Sequence, residues 1–161
     1  YFQEGEEIKM EMSVETAFSK SIESLSKWVA QEVNLSRTHL IFRAYAPVHF
    51  RGGEWNTGGG CHLESFPDEA AAGGSGGEGY REYRIVVEGL WEHLEKGSVE
   101  LLNVTGMTAV RKDGHSSLYY LGPEIGLAPV HRQDCSHWCL PGVPDSWNEL
   151  LYAVVIKRWL S

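Results

Sequence analysis

Two short runs limit what this 161-residue chain can fold into. Thr38-His39-Leu40-Ile41-Phe42-Arg43-Ala44-Tyr45 and Val99-Glu100-Leu101-Leu102-Asn103-Val104 are apolar, β-prone and short enough to read as buried strands. Pro47, which cannot donate to a ladder, closes the first. Three helical patterns alternate with them. Val14, Phe18, Ile22, Leu25, Val29 and Val33 recur at spacings of three and four, predicting a helix over 14–33 with Ser13 as its cap. A second helix is expected over about 82–96, with Val86, Val87, Leu90, Trp91 and Leu94 on one side and Gly97 as its stop. Ser146 is expected to cap a last helix from Trp147 to Trp159, with Leu150, Leu151, Val154 and Val155 inward. Helix, strand, helix, strand, helix is the order of an α/β layer fold with a parallel sheet. Two strands are too few for a whole sheet, so the chain is expected to be part of something longer.

The segments between these elements are unusual. Residues 46–82 form a long irregular stretch holding Arg51-Gly52-Gly53-Glu54-Trp55-Asn56-Thr57-Gly58-Gly59-Gly60-Cys61 and a second glycine cluster at 73–77. A loop of that length in a compact domain is usually functional or mobile. Its first half carries Trp, Arg, His and Cys and reads as an ordered site loop, whereas 68–80 has little to bury and reads as flexible. Residues 106–129 read mostly as loop. A net charge of −8 argues against nucleic acid or an acidic membrane surface as the main partner. No apolar run approaches the ~20 residues that span a bilayer, and no signal peptide is visible at the start. Asn34-Leu35-Ser36 and Asn103-Val104-Thr105 are glycosylation sequons. Cys61, Cys135 and Cys139 are an odd number, so in an oxidising compartment one thiol would pair outside this chain.

The chemistry concentrates in Asp134-Cys135-Ser136-His137-Trp138-Cys139. An acid and an imidazole three residues apart can share a hydrogen bond if the backbone turns tightly. That bond would fix the imidazole tautomer, as a general base activating a hydroxyl requires. A nucleophile is harder to find. Ser136 lies between the pair and reads as a filler pointing away from the imidazole. Ser116 and Ser117 lack a strand-to-helix elbow, and Ser75 sits in a glycine linker. His131, Cys135, His137 and Cys139 are zinc-type ligands at the wrong spacing for a ribbon or finger, so no metal is expected. Gly58-Gly59-Gly60 lacks the Lys-Ser/Thr of a phosphate loop and reads as a tight turn. Arg43, Arg51, Trp55 and Asn56 have the chemistry to hold a sugar face and its hydroxyls, and a place in the core or at its rim is the other reading of Trp55. Asn148 and Glu149 read as ordinary helix-end polarity.

Taken together, three motifs carry a resemblance. They are Arg43 to Cys61, then Arg111-Lys112-Asp113-Gly114-His115-Ser116-Ser117, then Asp134 to Leu151. In this order they resemble the plant trichome-birefringence-like family of polysaccharide O-acetyltransferases. The resemblance covers nearly the whole chain. It implies an α/β, three-layer SGNH-hydrolase-like (PC-esterase) fold, with residues 1–161 as an incomplete carboxy-terminal portion. It implies that Asp134 and His137 are the catalytic acid and base of a Ser-His-Asp triad whose serine lies in a Gly-Asp-Ser motif absent here. It implies a Cys61–Cys135 disulfide and leaves Cys139 to a partner outside the chain. The implied function is acetylation of xylan, mannan or pectin on the lumenal side of the Golgi membrane, with a missing amino-terminal helix as anchor. No bound cofactor is implied, but an acetyl donor is required, acetyl-CoA or one derived from it. Arg51, Trp55 and Asn56 are the expected contacts to the polymer, on their chemistry alone. The chain by itself is expected to be inactive for want of the serine. A non-catalytic carbohydrate-binding remnant and an acetyl esterase of the same fold are the alternatives.

Overall fold

Ser13 begins the first long element. Its hydroxyl accepts the Thr16 backbone N–H at 3.1 Å, and the helix α1 runs Val14–Glu32. The computed structural model describes residues 1–73, 79–116, 119 and 129–160. Among these the chain divides into two units, Tyr1–Ala44 with Arg81–Leu101, and Tyr45–Tyr80 with Leu102–Ser161.

The first unit is built on α1, whose Ile22 and Val29 are buried. They cluster with Val86, Leu90 and Val99, and Phe18, Leu25, Leu40, Phe42, Ile85 and Leu94 pack around them. A strand β3, Leu40–Arg43, pairs with β4, Val99–Leu102. Both expected strands therefore form and meet in one sheet, each shorter than its apolar run. The expected helix over 82–96 is two helices, α2 at Tyr80–Gly89 and α3 at Trp91–Glu95. The break falls at Leu90, with φ −106° and ψ 8°. Gly89 is a poor helix former, and a Cβ there would meet Ile22 Cγ2 at 2.5 Å, so the close approach to α1 is open to glycine alone. The stop at Gly97 is as expected. With φ +65° it donates to the Leu94 carbonyl at 3.1 Å, and Ser98 donates to that of His93 at 2.9 Å, a Schellman turn. His93 then donates to the Ser26 carbonyl, tying the helices.

One element of this unit had no sequence expectation. Strand β1, Phe2–Glu4, pairs antiparallel with β2, Glu7–Lys9, around Gly5 at φ +59°. These strands are largely exposed, so no alternating apolar face marks them. Ion pairs from Glu4 to Lys9 and Lys20 accompany the hairpin. The described residues hold two sheets of two strands each among helices, consistent with the expected incomplete α/β fold.

The second unit carries less regular structure. Arg51 and Gly60 exchange backbone hydrogen bonds at 2.9 and 3.0 Å, which closes the glycine loop. Within it a Cβ on Gly59 would lie 2.3 Å from the Gly53 carbonyl oxygen. Residues 69–73 form a 3-10 turn inside the segment expected to be flexible, while 74–78, with Ser75, lie outside the described residues. The expectation of loop over 106–129 is corrected at its start. Helix α4 covers Thr105–Ala109 and a 3-10 turn covers Lys112–Gly114. Thr105, 1% exposed, donates to the Tyr45 carbonyl at 2.7 Å, so polar side chains replace the apolar stripe that would have marked the helix. Residues 117, 118 and 120–128 lie outside the described set.

The last helix, α5, spans Val143–Leu160 and begins four residues before the expected start. Asp145 reaches back to the Gly142 backbone N–H at 2.7 Å, so the acid at the third helical position caps the end. Ser146 lies inside the helix and is not its cap. Leu150, Leu151, Val154 and Val155 are half-buried, whereas Tyr152, Trp159 and Leu160 are exposed. Among the described residues no helix is long and apolar enough to cross a membrane.

Candidate active site

The turn at Asp134 forms because one carboxylate serves several donors. Its Oδ1 accepts the Ser136 N–H at 3.0 Å, the Ser136 hydroxyl at 3.0 Å and the His137 N–H at 2.9 Å. Such a side-chain-closed turn needs no neighbour from elsewhere. It brings His137 Nδ1 to 2.7 Å from Asp134 Oδ2, so Nδ1–H donates and Nε2 is left with its lone pair. The His137 side chain is 85% exposed, and none of the bonds described for it uses Nε2. Partial burial raises the Asp134 pKa, but the hydrogen bonds from His137 and Ser136 outweigh it and bring the carboxyl down to about 2. The acid is therefore ionised through the neutral range. Ser136 is engaged with Asp134 and is not placed to be activated by His137.

Connections on two sides fix this turn to the rest of its unit. Cys61 and Cys135 form a disulfide with Cα atoms 5.9 Å apart, the pairing that the resemblance implied. The Gln133 side-chain oxygen accepts the Cys61 N–H at 2.9 Å, and the Cys135 carbonyl accepts from the His49 N–H at 3.0 Å. On the other side, His115 and Trp138 form an antiparallel bridge, and Cys139 donates to the Gly114 carbonyl at 3.1 Å. Trp138 packs on the His115 ring at 4.1 Å between centroids and meets Trp147 edge-on at 5.8 Å. Cys139 is a half-buried free thiol whose pKa burial pushes up, so it is held as a thiol and not a thiolate. Cys135, one of the four metal-type ligands, is consumed by the disulfide.

Three of the sugar-type residues, Arg51, Trp55 and Asn56, lie on the loop that the disulfide ties to the turn. Arg51 Nε is 2.8 Å from Glu64 Oε1, and Glu64 is itself 7% exposed. The second Glu64 oxygen holds Lys112 at 3.0 Å, which also pairs with Asp68. Arg51 is thus anchored through Nε while its side chain as a whole stays 68% exposed. It lines a cavity of about 160 Å³ with Gly58, Gly60, Cys61, His62, Leu63 and Glu64. Trp55, 78% exposed, and Asn56 stand on the same loop but do not line that cavity. Arg43 belongs to the other unit, at the end of β3. Asn34 is exposed, with Ser36 hydrogen-bonded to its amide oxygen. Asn103 is exposed as well, but the hydroxyl of its sequon residue Thr105 is buried against Tyr45.

His49 and His115 carried no role in the sequence reading. They stand 66 residues apart, and His115 is 2% exposed directly under the His137 carbonyl. The signal available was only that each sat within a motif.

An imidazole oriented by a carboxylate through one nitrogen, with the other nitrogen open, is how Ser-His-Asp acyl-transfer and ester-cleaving enzymes prepare their base. The chain belongs to the PC-esterase family, the GDSL/SGNH-like acyl-esterase family found in Pmr5 and Cas1p, which matches residues 1–154. It is 41% identical over 159 residues to protein trichome birefringence-like 9 of Arabidopsis thaliana, covering 98% of this chain and 37% of that protein. It is 42% identical over 158 residues to protein trichome birefringence-like 6 and 42% identical over 161 to protein trichome birefringence, both of the same plant. Those alignments cover 98% of this chain and 32% and 26% of the relatives. The chain thus spans about a third of the length of the curated relatives it matches.

Proposed function

We propose that Asp134 and His137 are the acid and base of a Ser-His-Asp site whose serine is supplied by sequence outside this chain, in a Gly-Asp-Ser segment. The whole protein would then be an O-acetyltransferase acting on a plant cell-wall polysaccharide such as xylan, mannan or pectin. The observation that carries the reading is the 2.7 Å bond between Asp134 Oδ2 and His137 Nδ1 with Nε2 left open. Membership of an acyl-esterase family supports acyl chemistry in general.

The mechanism follows from the tautomer. His137 Nε2 takes the proton of the serine hydroxyl as the oxygen attacks the acetyl carbonyl, and returns that proton to the donor's leaving group. A sugar hydroxyl then gives its proton to Nε2 and attacks the acetyl-serine, and the serine recovers a proton as it leaves. Asp134 stabilises the imidazolium in both steps. Arg51, Trp55 and Asn56 would contact the polymer, Arg51 through hydrogen bonds from its guanidinium and Trp55 by stacking on a sugar face. A lumenal site at the Golgi membrane, an acetyl donor of the acetyl-CoA type and a membrane anchor ahead of this chain complete the proposal.

The full-length protein, incubated with an acetyl donor and wall oligosaccharides, should yield acetylated sugar by mass spectrometry. This chain alone should not. Acetate release without acetylated sugar would make the protein an esterase. Sugar binding without either product would leave only a carbohydrate-binding role.

A further inference from the structure

The two histidines beneath the turn can be counted by their protons. His115 Nδ1 lies 2.7 Å from the His137 carbonyl oxygen, and His49 Nε2 lies 3.0 Å from that of Ala109. A carbonyl only accepts, so both nitrogens must carry hydrogen. The two remaining nitrogens, His49 Nδ1 and His115 Nε2, face each other at 2.8 Å. Two lone pairs at that separation repel, whereas one proton between them makes an N–H···N bond. Three contacts need three protons, and two neutral imidazoles carry two. The third gives the pair a single positive charge.

We propose that His49 and His115 are positioning residues for His137, and that a shared third proton completes the support they give to the catalytic turn. The proposal rests on the reading of Asp134 and His137 as an acyl-transfer pair. Its geometry is specific to that residue. Asp134 holds the backbone N–H and the ring of His137, and His115 holds its carbonyl. With Trp138 packed on His115, the residue that carries the base is fixed at three points. When the third proton leaves, one of the three histidine contacts must open, either within the pair or at a carbonyl.

Burial lowers the pKa of His49 and pushes that of His115 down to about 4, because a charge in the interior is poorly solvated. The two accepting carbonyls and the charges of Glu64, Asp113 and Asp134 favour its charge, while Lys112 opposes it at His49 and His49 opposes it at His115. Uptake of the third proton from solvent therefore falls on the acid side of the ordinary imidazole range. The support is complete below that point and one contact short above it.

The test uses the full-length protein with nitrogen-15 in its histidine rings. Spectra taken from about pH 7 down to about pH 4 should show the His49 and His115 rings titrating as one unit, with a nitrogen–nitrogen coupling across the shared hydrogen. Two rings titrating independently, with no coupling at any pH in that range, would overturn the shared proton. The positioning role is read in kinetics. His115→Phe keeps a ring beside Trp138 but loses the bond to His137, and kcat should fall by about 10- to 100-fold with KM little changed. His49→Gln offers His115 Nε2 a neutral N–H donor, so the loss should be smaller and the pair's step in the pH profile of kcat/KM should vanish. Retention of that step in His49→Gln would contradict the inference even if His115→Phe fails to fold. The ring spectra need no catalysis, so a coupled pair in a protein without acyl-transfer activity would instead defeat the proposed function.

Discussion

Replacing Asp134 with Asn tests how the turn makes a base. The substitution keeps the shape and leaves Oδ1 to accept the Ser136 and His137 backbone N–H groups. What changes is the atom facing His137 Nδ1, where an accepting oxygen becomes a donating amide. The imidazole must then put its hydrogen on Nε2, the nitrogen that takes the serine proton in the proposed reaction. In a Ser-His-Asp site the wrong tautomer costs about 10⁴-fold in kcat, and a loss of that order is expected here. The stability effect is smaller and follows from the carboxyl pKa. A displacement from 3.8 to about 2 corresponds to roughly 2.4 kcal/mol at 1.36 kcal/mol per tenfold. The side chain is 35% exposed, so solvent screening brings this to roughly 1–2 kcal/mol. Because the folded pKa is depressed, that stability is present above pH 3.8 and is lost as pH falls through 3.8 toward 2. The assays are acetyl transfer by the full-length protein at neutral pH and denaturant unfolding across the acid range. If Asp134→Asn keeps kcat within about tenfold of the parent, the tautomer argument is wrong. If the variant loses stability equally at neutral and strongly acid pH, the carboxylate is not its source.

Other perturbations probe the scaffold. The Cys61–Cys135 disulfide closes a loop of 74 residues' separation, and replacing both cysteines with Ala should cost about 4 kcal/mol in chemical unfolding of the oxidised protein. A loss under about 1 kcal/mol would show that the glycine loop and the turn are held together without it. Leu90→Ala empties a fully buried position at the α2–α3 break, clustered with Ile22, Val29, Val86 and Val99, and should cost about 2–5 kcal/mol by the same measurement, with the disulfide intact. Gly114→Ala places a methyl 2.7 Å from Val143 Cγ2 and 3.0 Å from the Trp138 ring. It should cost about 1–3 kcal/mol and, by moving Trp138, lower acetyl transfer as well.

Much of the fold was legible because its signals are local. Ser13 caps α1 and Gly97 stops α3, as the side-chain and backbone chemistry of those residues dictates. The apolar spacing of α1 from Phe18 to Val33 is the face it buries, whereas Val14, expected on the same face, is exposed. Signals failed where tertiary contact or a different cap decided. Gly89 gave no warning that Ile22 would press against it, so one expected helix became two. Ser146 looked like the cap of α5, but Asp145 reaches the Gly142 N–H and starts the helix earlier. Helix α4 is anchored by buried threonines and a Trp147–Thr108 bond, so it carries no apolar stripe to read.

The same division runs through the site. By itself the sequence determined that Asp134 and His137 could meet, because a carboxylate accepting the N–H groups two and three residues ahead closes the turn locally. Only the tertiary structure decided what stands beneath that turn. His49 and His115, 66 residues apart, come within 2.8 Å through long-range packing that no spacing records. A short-range hydrogen bond is written in neighbouring residues. The proton balance of a buried pair depends on which carbonyls and charges the fold sets around it.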